Sequence, residues 1–314
     1  MISQIKINEL TEKAKLIKKA FNSKQNNEKE LINILKSTNN SERQIIRTCY
    51  KRLYNKPIQN DIKEVLINNF KELCLSMFDT PYEYDARELY KSLNSNPIKH
   101  NILIEIFSSR SKSHLNIANQ AYEQFFNISL REEIQKKLAK YFAKFLLIIM
   151  DTVRREEKLL SNDDAYVIAK EIKENDSKIF EDENIFKNIF LEKSREDLIL
   201  ISRAFFELYK INLYEYIKSL KYGEFEENIK KLIKNILFAV ISPSEWFCKK
   251  AKKALNRKNY DLDQLNRIII YRSELDLNKI KDYYLSDNGR ELYQDIQLID
   301  EDSYRETLTN LCMK

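Results

Sequence analysis

Few residues in this chain have the types and spacing that catalysis or metal binding requires. The four cysteines show no CxxC or CxxxC spacing, and the two histidines do not complete a zinc pattern with them. These residues are Cys49, Cys74, Cys248, Cys312, His100 and His114. The sequence contains no Walker loop, no GxGxxG and no HExxH. We therefore expect no enzyme activity, no catalytic residue, no resident cofactor, and reduced thiols that are mostly buried.

The composition predicts a helical globular protein. Of 314 residues, 43% are hydrophobic and 32% are charged, with only two glycines and four prolines. A β-rich chain of this length would need many more turn glycines, so helices joined by short polar loops are favoured. The net charge of +6 is too small to indicate nucleic acid. With no signal peptide and no long apolar run, we expect a cytoplasmic protein without a membrane span, and peripheral membrane attachment stays open.

One apolar pattern occurs four times. The segment 31–35 recurs at offsets of 72, 155 and 234 residues, as 103–107, 186–190 and 265–269. Apolar positions within each unit fall at helical spacing and indicate five short helices. In the first unit, Ser41 is expected to cap the third helix and Pro57 to start the fourth. We expect a tail at 1–8, repeats at 9–79, 80–155, 162–238 and 241–314, and a longer charged connector between the second and third repeats.

Four repeats of about seventy residues, with five helices each, resemble the core of the annexins. The most specific matches are Tyr84-Asp85-Ala86-x-Glu88-Leu89, Glu105-Ile106-x-x-Ser109-Arg110 and the segment from Arg267 to Leu277. The resemblance covers essentially the whole chain and is strongest in repeats two and four. It implies an all-α fold of four repeats in a slightly curved disc. It also implies two ion pairs in a hydrophilic channel, Asp85 with Arg110 and Glu105 with Arg267, whose charges are all present.

The same resemblance implies calcium sites that bind anionic phospholipid on the convex face. The family pattern is Gly-x-Gly-Thr in the first loop of a repeat and a carboxylate about forty residues later, which together supply the oxygen ligands that calcium requires. No repeat has a glycine or a carboxylate at these positions. They hold Ser23, Gln25 and Val65; Ser95, Pro97 and Lys137; Lys178, Phe180 and Leu220; and Arg257, Asn259 and Ile299. A slip of one residue could recruit Glu64 or Asp300 without restoring the glycines. We expect no family-type calcium site, and at most weak calcium binding.

Lysines are the main candidates for binding lipid without calcium. An ammonium at Lys137, where the family has a carboxylate, could bind phosphate directly, or it could be one of several solvated lysines at a helix end. The candidate cations are Lys24, Lys99, Lys136, Lys137, Lys140, Arg257 and Lys258. Each cation near an anionic membrane contributes about 1 kcal/mol. Ile179 and Phe180, at the tip of the third repeat's first loop, could insert into lipid or fold onto the neighbouring helix.

The sequence therefore favours a peripheral protein or scaffold that binds anionic phospholipid weakly, with little or no calcium. The alternative is a protein-interaction scaffold, cytoskeletal or part of a larger assembly, that needs neither calcium nor lipid. A helical solenoid for peptide or RNA would explain neither the ion-pair positions nor the five-helix period. We expect no nucleic-acid partner and no small-molecule substrate.

Overall fold

The computed structural model describes residues 3–23, 28–176, 178–220 and 227–313. Within these ranges the regular structure consists of twenty α-helices and one π-helical stretch, without a β-strand. The all-α prediction is confirmed. None of the helices in the described part of the chain is both long enough and apolar enough to cross a membrane.

The chain forms two compact units. The first unit comprises Met1–Pro81 and Ser244–Lys314, and so contains the repeats expected at 9–79 and 241–314. The second unit, Tyr82–Pro243, contains the two expected between them. Each unit therefore pairs two of the repeats that the sequence pattern indicates.

Ten helices make up the first unit. From the first repeat these are α1 Gln4–Asn22, α2 Glu28–Ser37, α3 Asn40–Tyr54, α4 Ile58–Val65 and α5 Asn68–Phe78. From the fourth they are α16 Pro243–Ala254, α17 Leu262–Arg272, α18 Leu277–Asn288, α19 Leu292–Ile296 and α20 Asp302–Cys312. Because α1 already begins at Gln4, part of the expected tail is helical.

The start of α3 corrects one expectation. Asn39, and not Ser41, is its cap, because the Asn39 side chain accepts the N–H of Glu42 at 2.8 Å. In return, the Glu42 carboxylate accepts the N–H of Asn39 at 3.1 Å. This reciprocal capping box satisfies two backbone donors that would otherwise lack a partner within the helix. Pro57 immediately precedes α4, as expected.

The second unit contains the other ten α-helices. From the second repeat these are α6 Pro81–Leu93, α7 His100–Ser109, α8 Lys112–Phe126, α9 Leu130–Lys137 and α10 Lys140–Asp151. From the third they are α11 Asn162–Glu174, α12 Glu183–Ile185, α13 Arg195–Tyr209, α14 Leu213–Ser219 and α15 Glu227–Ile241. The short α12 continues as a π-helix over Phe186–Leu191, which makes this the one irregular second helix among the repeats in the described residues.

The repeated apolar positions form the core. The isoleucine that recurs in the fourth helix of each repeat is fully buried at all four positions: Ile62, Ile134, Ile217 and Ile296. Burial of one such side chain contributes roughly 1.5–3 kcal/mol. Trp246, near the start of α16, is 2% exposed and belongs to the core, and all four cysteines are unpaired and buried. The pattern that defines the repeat is thus a packing pattern.

Candidate functional site

A tyrosine–carboxylate hydrogen bond recurs beneath the loops of three repeats. In each, a tyrosine of the third helix donates its hydroxyl to a carboxylate eleven residues later, in the fourth helix. The pairs are Tyr50 with Asp61, Tyr122 with Glu133, and Tyr284 with Asp295. Burial, and then the hydrogen bond to the carboxylate, raises the pKa of all three tyrosines. The phenols therefore remain protonated and act as hydrogen-bond donors.

The third repeat keeps the hydrogen bond but exchanges the positions. At the register of the tyrosine stands Phe205, and at the register of the carboxylate stands Tyr216, whose ring contacts Phe205 with centroids 4.9 Å apart. The Tyr216 hydroxyl donates to Asp176 at 3.0 Å, and Lys173 donates to the same hydroxyl at 3.1 Å. In this repeat the carboxylate lies in the segment after α11. All four repeats therefore join a tyrosine to a carboxylate, three of them by the same pair of positions and the third repeat by a different pair.

Cations neutralise these carboxylates in the first unit. Lys18 and Lys56 lie 2.7 and 2.6 Å from the Asp61 oxygens. Although burial raises the pKa of Asp61, the hydrogen bonds from Lys18, Lys56 and Tyr50 lower it to about 2. In the fourth repeat Arg290 lies 2.7 Å from Asp295, at the register of Lys56, and Arg257 lies 3.6 Å from the same carboxylate. Arg257, a predicted lipid ligand, is therefore already partly paired, although its side chain is 62% exposed.

The second repeat lacks both cations and uses Lys137 instead. Tyr90 and Ile128 stand at the registers of Lys18 and Lys56. The Lys137 ammonium lies 2.5 Å from Glu133 and donates to the Asn94 side chain at 2.6 Å. It thus joins the first loop of the repeat to its fourth helix, and its side chain is 26% exposed. Neither sequence interpretation of Lys137 included these contacts. The Glu133 pair has the i,i+4 spacing of a helix and could have been found from the sequence, whereas Asn94 comes close only in the fold.

Three other predicted lysines of the second repeat are exposed. Lys99 directly precedes α7, Lys136 lies in the last turn of α9, and Lys140 is the first residue of α10. None of the three forms an ion pair with another described residue. The partial positive charges of the α7 and α10 N-termini add to the lysines there. This surface, defined by Lys99, Lys136 and Lys140, is called the repeat-two lysine surface below.

The remaining predicted positions are distributed as follows. In the fourth repeat Lys258 and Asn259 are exposed in the loop after α16, and Ile299 is buried. Ser23 follows α1, Val65 ends α4 and Leu220 follows α14. Ser95 donates to the carbonyls of Ser92 and Pro97, at 2.8 and 2.9 Å, and Lys178 is exposed. Lys24 and Gln25 lie outside the described residues.

The prediction that Ile179 and Phe180 insert into lipid is wrong. Ile179 is 0% and Phe180 is 1% exposed, and both belong to the hydrophobic core of the second unit. The turn that carries them is closed by backbone bonds from Lys178 and Ile179 to the carbonyl of Asn175, at 2.8 and 3.1 Å. Their burial agrees with the alternative interpretation, in which the two side chains fold back onto the protein; contact with the neighbouring helix itself stays a prediction. Burial removes these side chains from water, and the N–H groups of Lys178 and Ile179 keep backbone partners.

A buried charge cluster lies at the other end of α7. Arg110 donates two hydrogen bonds to Asp85, at 2.7 and 3.1 Å, so the expected ion pair is present. The His114 Nε2 atom lies 2.7 Å from the same carboxylate. Although burial raises the pKa of Asp85, the Arg110 charge and the His114 hydrogen bond lower it to about 2. Sequence reasoning missed His114, because it lies in the first turn of α8 and comes beside Asp85 only in the fold.

The second expected channel pair stays a prediction. Glu105 is 1% exposed within the second unit, and Arg267 is 2% exposed within the first. Both positions therefore bury a charge, as the resemblance implies. A charge can be buried at such a site only with a compensating partner.

Together these features define an all-helical protein of repeated five-helix units with buried, internally neutralised charge clusters. The Annexin family model matches residues 12–77, 84–149 and 247–311, which is more than half of the chain. Human annexin A3 is 30% identical over 304 residues, covering 95% of this chain and 92% of annexin A3. Mouse annexin A11 is 27% identical over 303 residues, covering 95% of this chain but 59% of annexin A11. A solved structure of annexin III superimposes with a TM-score of 0.88 at 27% identity, covering 97% of this chain and 94% of that one.

The chain belongs to the annexin family. Annexins bind anionic phospholipid membranes as peripheral proteins, bind calcium in doing so, and are in general not enzymes. Within the described residues, no group of three or more His, Cys, Asp or Glu side chains could hold a metal ion. Calcium sites of annexins also use loop carbonyls as ligands. Whether this chain can bind calcium therefore depends on the contacts that its loop carbonyls make.

Proposed function

We propose that this annexin binds anionic phospholipid weakly through its own cations, with little or no calcium. The proposal rests mainly on the second repeat, where Lys99, Lys136 and Lys140 are exposed. The resemblance to the family puts Lys137 at the position of the calcium-binding carboxylate in the same repeat. The chain would act as a peripheral membrane protein or scaffold. It would keep the fold of its family, but its lysines, and not bound calcium, would contact the lipid.

The residues of the second repeat do not fit a calcium ion. The Lys137 ammonium, 2.6 Å from Asn94, places a positive charge between the first loop and the fourth helix. Calcium requires six to eight oxygen ligands. A neighbouring ammonium supplies none of them, and its positive charge repels the calcium ion. Glu133, the nearby carboxylate, is already engaged by Lys137 and Tyr122.

In the third and fourth repeats, carbonyls of the first loop accept hydrogen bonds from backbone N–H groups of the same loop. In the fourth repeat the carbonyls of Ala254 and Asn256 accept from Asp261 and Asn259, both at 2.9 Å. In the third repeat the carbonyl of Lys178 accepts from Asp182 at 2.8 Å. Glu64, which a slip of one residue would recruit in the first repeat, pairs with Lys56 at 2.8 Å. These contacts support the loss of family-type calcium sites in all three repeats.

Electrostatics make the proposed lipid binding weak and dependent on salt. Three lysines near an anionic membrane contribute on the order of 3 kcal/mol together, at about 1 kcal/mol each. Glu132, exposed in the first turn of α9, opposes them. Since the Debye length shortens from roughly 10 Å at 0.1 M salt to 3 Å at 1 M, binding should disappear at high salt.

Co-sedimentation with vesicles tests the lysine surface directly. The variant Lys136→Glu/Lys140→Glu reverses two charges on the repeat-two lysine surface. The matched control, Lys51→Glu/Lys170→Glu, makes the same change in net charge at exposed lysines on α3 and α11. We expect phosphatidylserine vesicles to pellet the wild type and the control at low salt. The Lys136→Glu/Lys140→Glu variant should pellet several-fold less.

Two outcomes would contradict the proposal. Equal losses in the two variants would mean that only net charge matters, and not this surface. No pelleting of the wild type under any condition would remove lipid as the ligand and leave the protein-interaction scaffold.

A further inference from the structure

A cleft lies within the second unit, at the end of α7 opposite to Lys99. Its volume is about 590 Å³, within the range of small-molecule sites. Part of the lining is apolar and comes from Phe107, Ile149, Leu191, Ile236, Ala239 and Val240. The α7–α8 junction and the connector after α10 add hydroxyl and cationic groups to the lining. The cleft is therefore amphipathic.

Arg154, in the connector, is a cation of the cleft without a carboxylate partner among the described residues. Its guanidinium donates to the carbonyls of Lys193 and Phe190, both at 2.6 Å. Burial lowers the pKa of Arg154 to about 10, which leaves the group charged at neutral pH. Two neutral acceptors leave three of the five N–H donors of a guanidinium for a further ligand. An unpaired charge in such surroundings is costly, and an anion would relieve the cost.

The first turn of α8 adds a second positive element. Lys112 lines the cleft and donates to the carbonyl of Asp151 at 2.7 Å, again a neutral acceptor. Ser113, also in the lining, lies in the same turn of a fifteen-residue helix whose N-terminal N–H groups favour an anion. Arg110 lines the cleft too, but Asp85 neutralises it at 2.7 Å.

An independent observation comes from Ser108. This residue lines the cleft, is 6% exposed, and its hydroxyl has no hydrogen-bond partner among the described residues. A buried hydroxyl without a partner costs about 1–3 kcal/mol, so most are satisfied in native structures. Ser108 thus adds an unsatisfied polar group to the residues around the cleft. The one carboxylate of the described lining is Glu156, so the two unneutralised cations leave a positive excess.

We propose that this cleft binds an amphiphilic organic phosphate, with the phosphate at Arg154 and Lys112 and the apolar body against the apolar residues of the lining. A planar guanidinium and a helix N-terminus both suit phosphate oxygens. The site is separate from the repeat-two lysine surface, because the ten residues of α7, roughly 15 Å of helix, lie between them. The ligand could come from a membrane lipid or from a soluble phosphate ester, and the two share this chemistry.

Calorimetric titration with monomeric octyl phosphate tests the site. Octanol and inorganic phosphate serve as probes of each half alone, and we expect both to bind at least tenfold more weakly than octyl phosphate. Arg154→Gln should weaken octyl phosphate roughly ten- to a hundredfold, as expected for lost hydrogen bonds to a charged group. The matched control is Arg155→Gln, a neighbour whose guanidinium lies 4.0 Å from Glu192 and which does not line the cleft. We expect it to bind as the wild type does.

A second variant keeps the test independent of folding effects at Arg154. Val153 lines the cleft and is 65% exposed, so Val153→Asp adds a carboxylate at the cleft without disturbing the core. We expect it to weaken octyl phosphate about tenfold and octanol hardly at all. Equal binding of octyl phosphate and octanol would overturn the proposal, as would equal effects of the Arg154 and Arg155 variants.

Vesicles containing phosphatidic acid distinguish the two sources. If octyl phosphate binds and Arg154→Gln also reduces vesicle binding, the ligand is a membrane phospholipid. If octyl phosphate binds and vesicle binding is unchanged, the ligand is a soluble phosphate ester. Both results support the cleft, and neither depends on the repeat-two lysine surface.

Discussion

The two ends of α7 use charge in opposite ways. At its C-terminal end, Asp85, Arg110 and His114 are buried and satisfy one another. Around its N-terminal end, Lys99, Lys136 and Lys140 are exposed and form no ion pair among the described residues. The difference shows which charges hold the fold and which are available to a ligand. Buried pairs are expensive to break, whereas exposed lysines can be exchanged at little cost to stability.

The largest expected effect comes from breaking the buried cluster. Arg110→Met removes the guanidinium and leaves Asp85 in a buried site with His114 alone. We expect the free energy of unfolding to fall by roughly 3–5 kcal/mol, the usual cost of an uncompensated buried charge. Denaturant unfolding measures this value. A change below about 1 kcal/mol, as for an exposed pair, would remove the distinction between the two ends of α7.

The pH dependence of stability sharpens the same contrast. Asp85 and Asp61 have pKa values near 2 in the folded protein, against 3.8 ordinarily. Their stabilising effect is complete above the unfolded pKa and is lost as the pH falls from about 4 to 2. For Asp85 the shift corresponds to about 2 kcal/mol, at 1.36 kcal/mol per pKa unit. Unfolding followed between pH 5 and pH 2 should show a shallower acid slope in Asp85→Asn than in the wild type. Identical slopes would contradict the assignment.

The sequence predicted the frame far better than the partners of its charges. The apolar periodicity predicted the burial of Ile62 and its three counterparts, and the resemblance to a family motif predicted the Asp85–Arg110 pair. The exchange of Phe205 and Tyr216 was visible in the repeat register but meaningful only once Asp176 was seen beside it. The Lys137–Asn94 hydrogen bond, the carbonyl partners of Arg154 and the burial of Phe180 depend on how loops fold back. No local pattern encodes that geometry.

The tyrosine–carboxylate bonds should show a smaller effect. Tyr122→Phe removes a donor to the charged Glu133, and we expect a loss of about 1–2 kcal/mol in the free energy of unfolding. At the equivalent position the third repeat already has phenylalanine, so there the sensitive variant should be Tyr216→Phe. Denaturant unfolding of both variants tests whether the exchanged geometry is equivalent. A loss in Tyr122→Phe without one in Tyr216→Phe would show that the third repeat has given up the interaction.

The smallest stability effect is expected at the lysine surface. Lys136→Glu/Lys140→Glu should unfold at the same denaturant concentration as the wild type, because neither lysine forms an ion pair with another residue that the structure describes. A marked destabilisation would mean that these lysines are structural, and it would also invalidate the vesicle comparison.

Calcium dependence of membrane binding tests the central claim most directly. The wild type would be sedimented with phosphatidylserine vesicles at low salt, once with millimolar calcium and once with chelator, alongside neutral phosphatidylcholine vesicles. The account predicts the same pelleted fraction of protein with calcium and with chelator, lost at high salt and absent with neutral vesicles. Pelleting that requires calcium would show that this chain keeps the calcium-dependent membrane binding of its family, and would contradict the account.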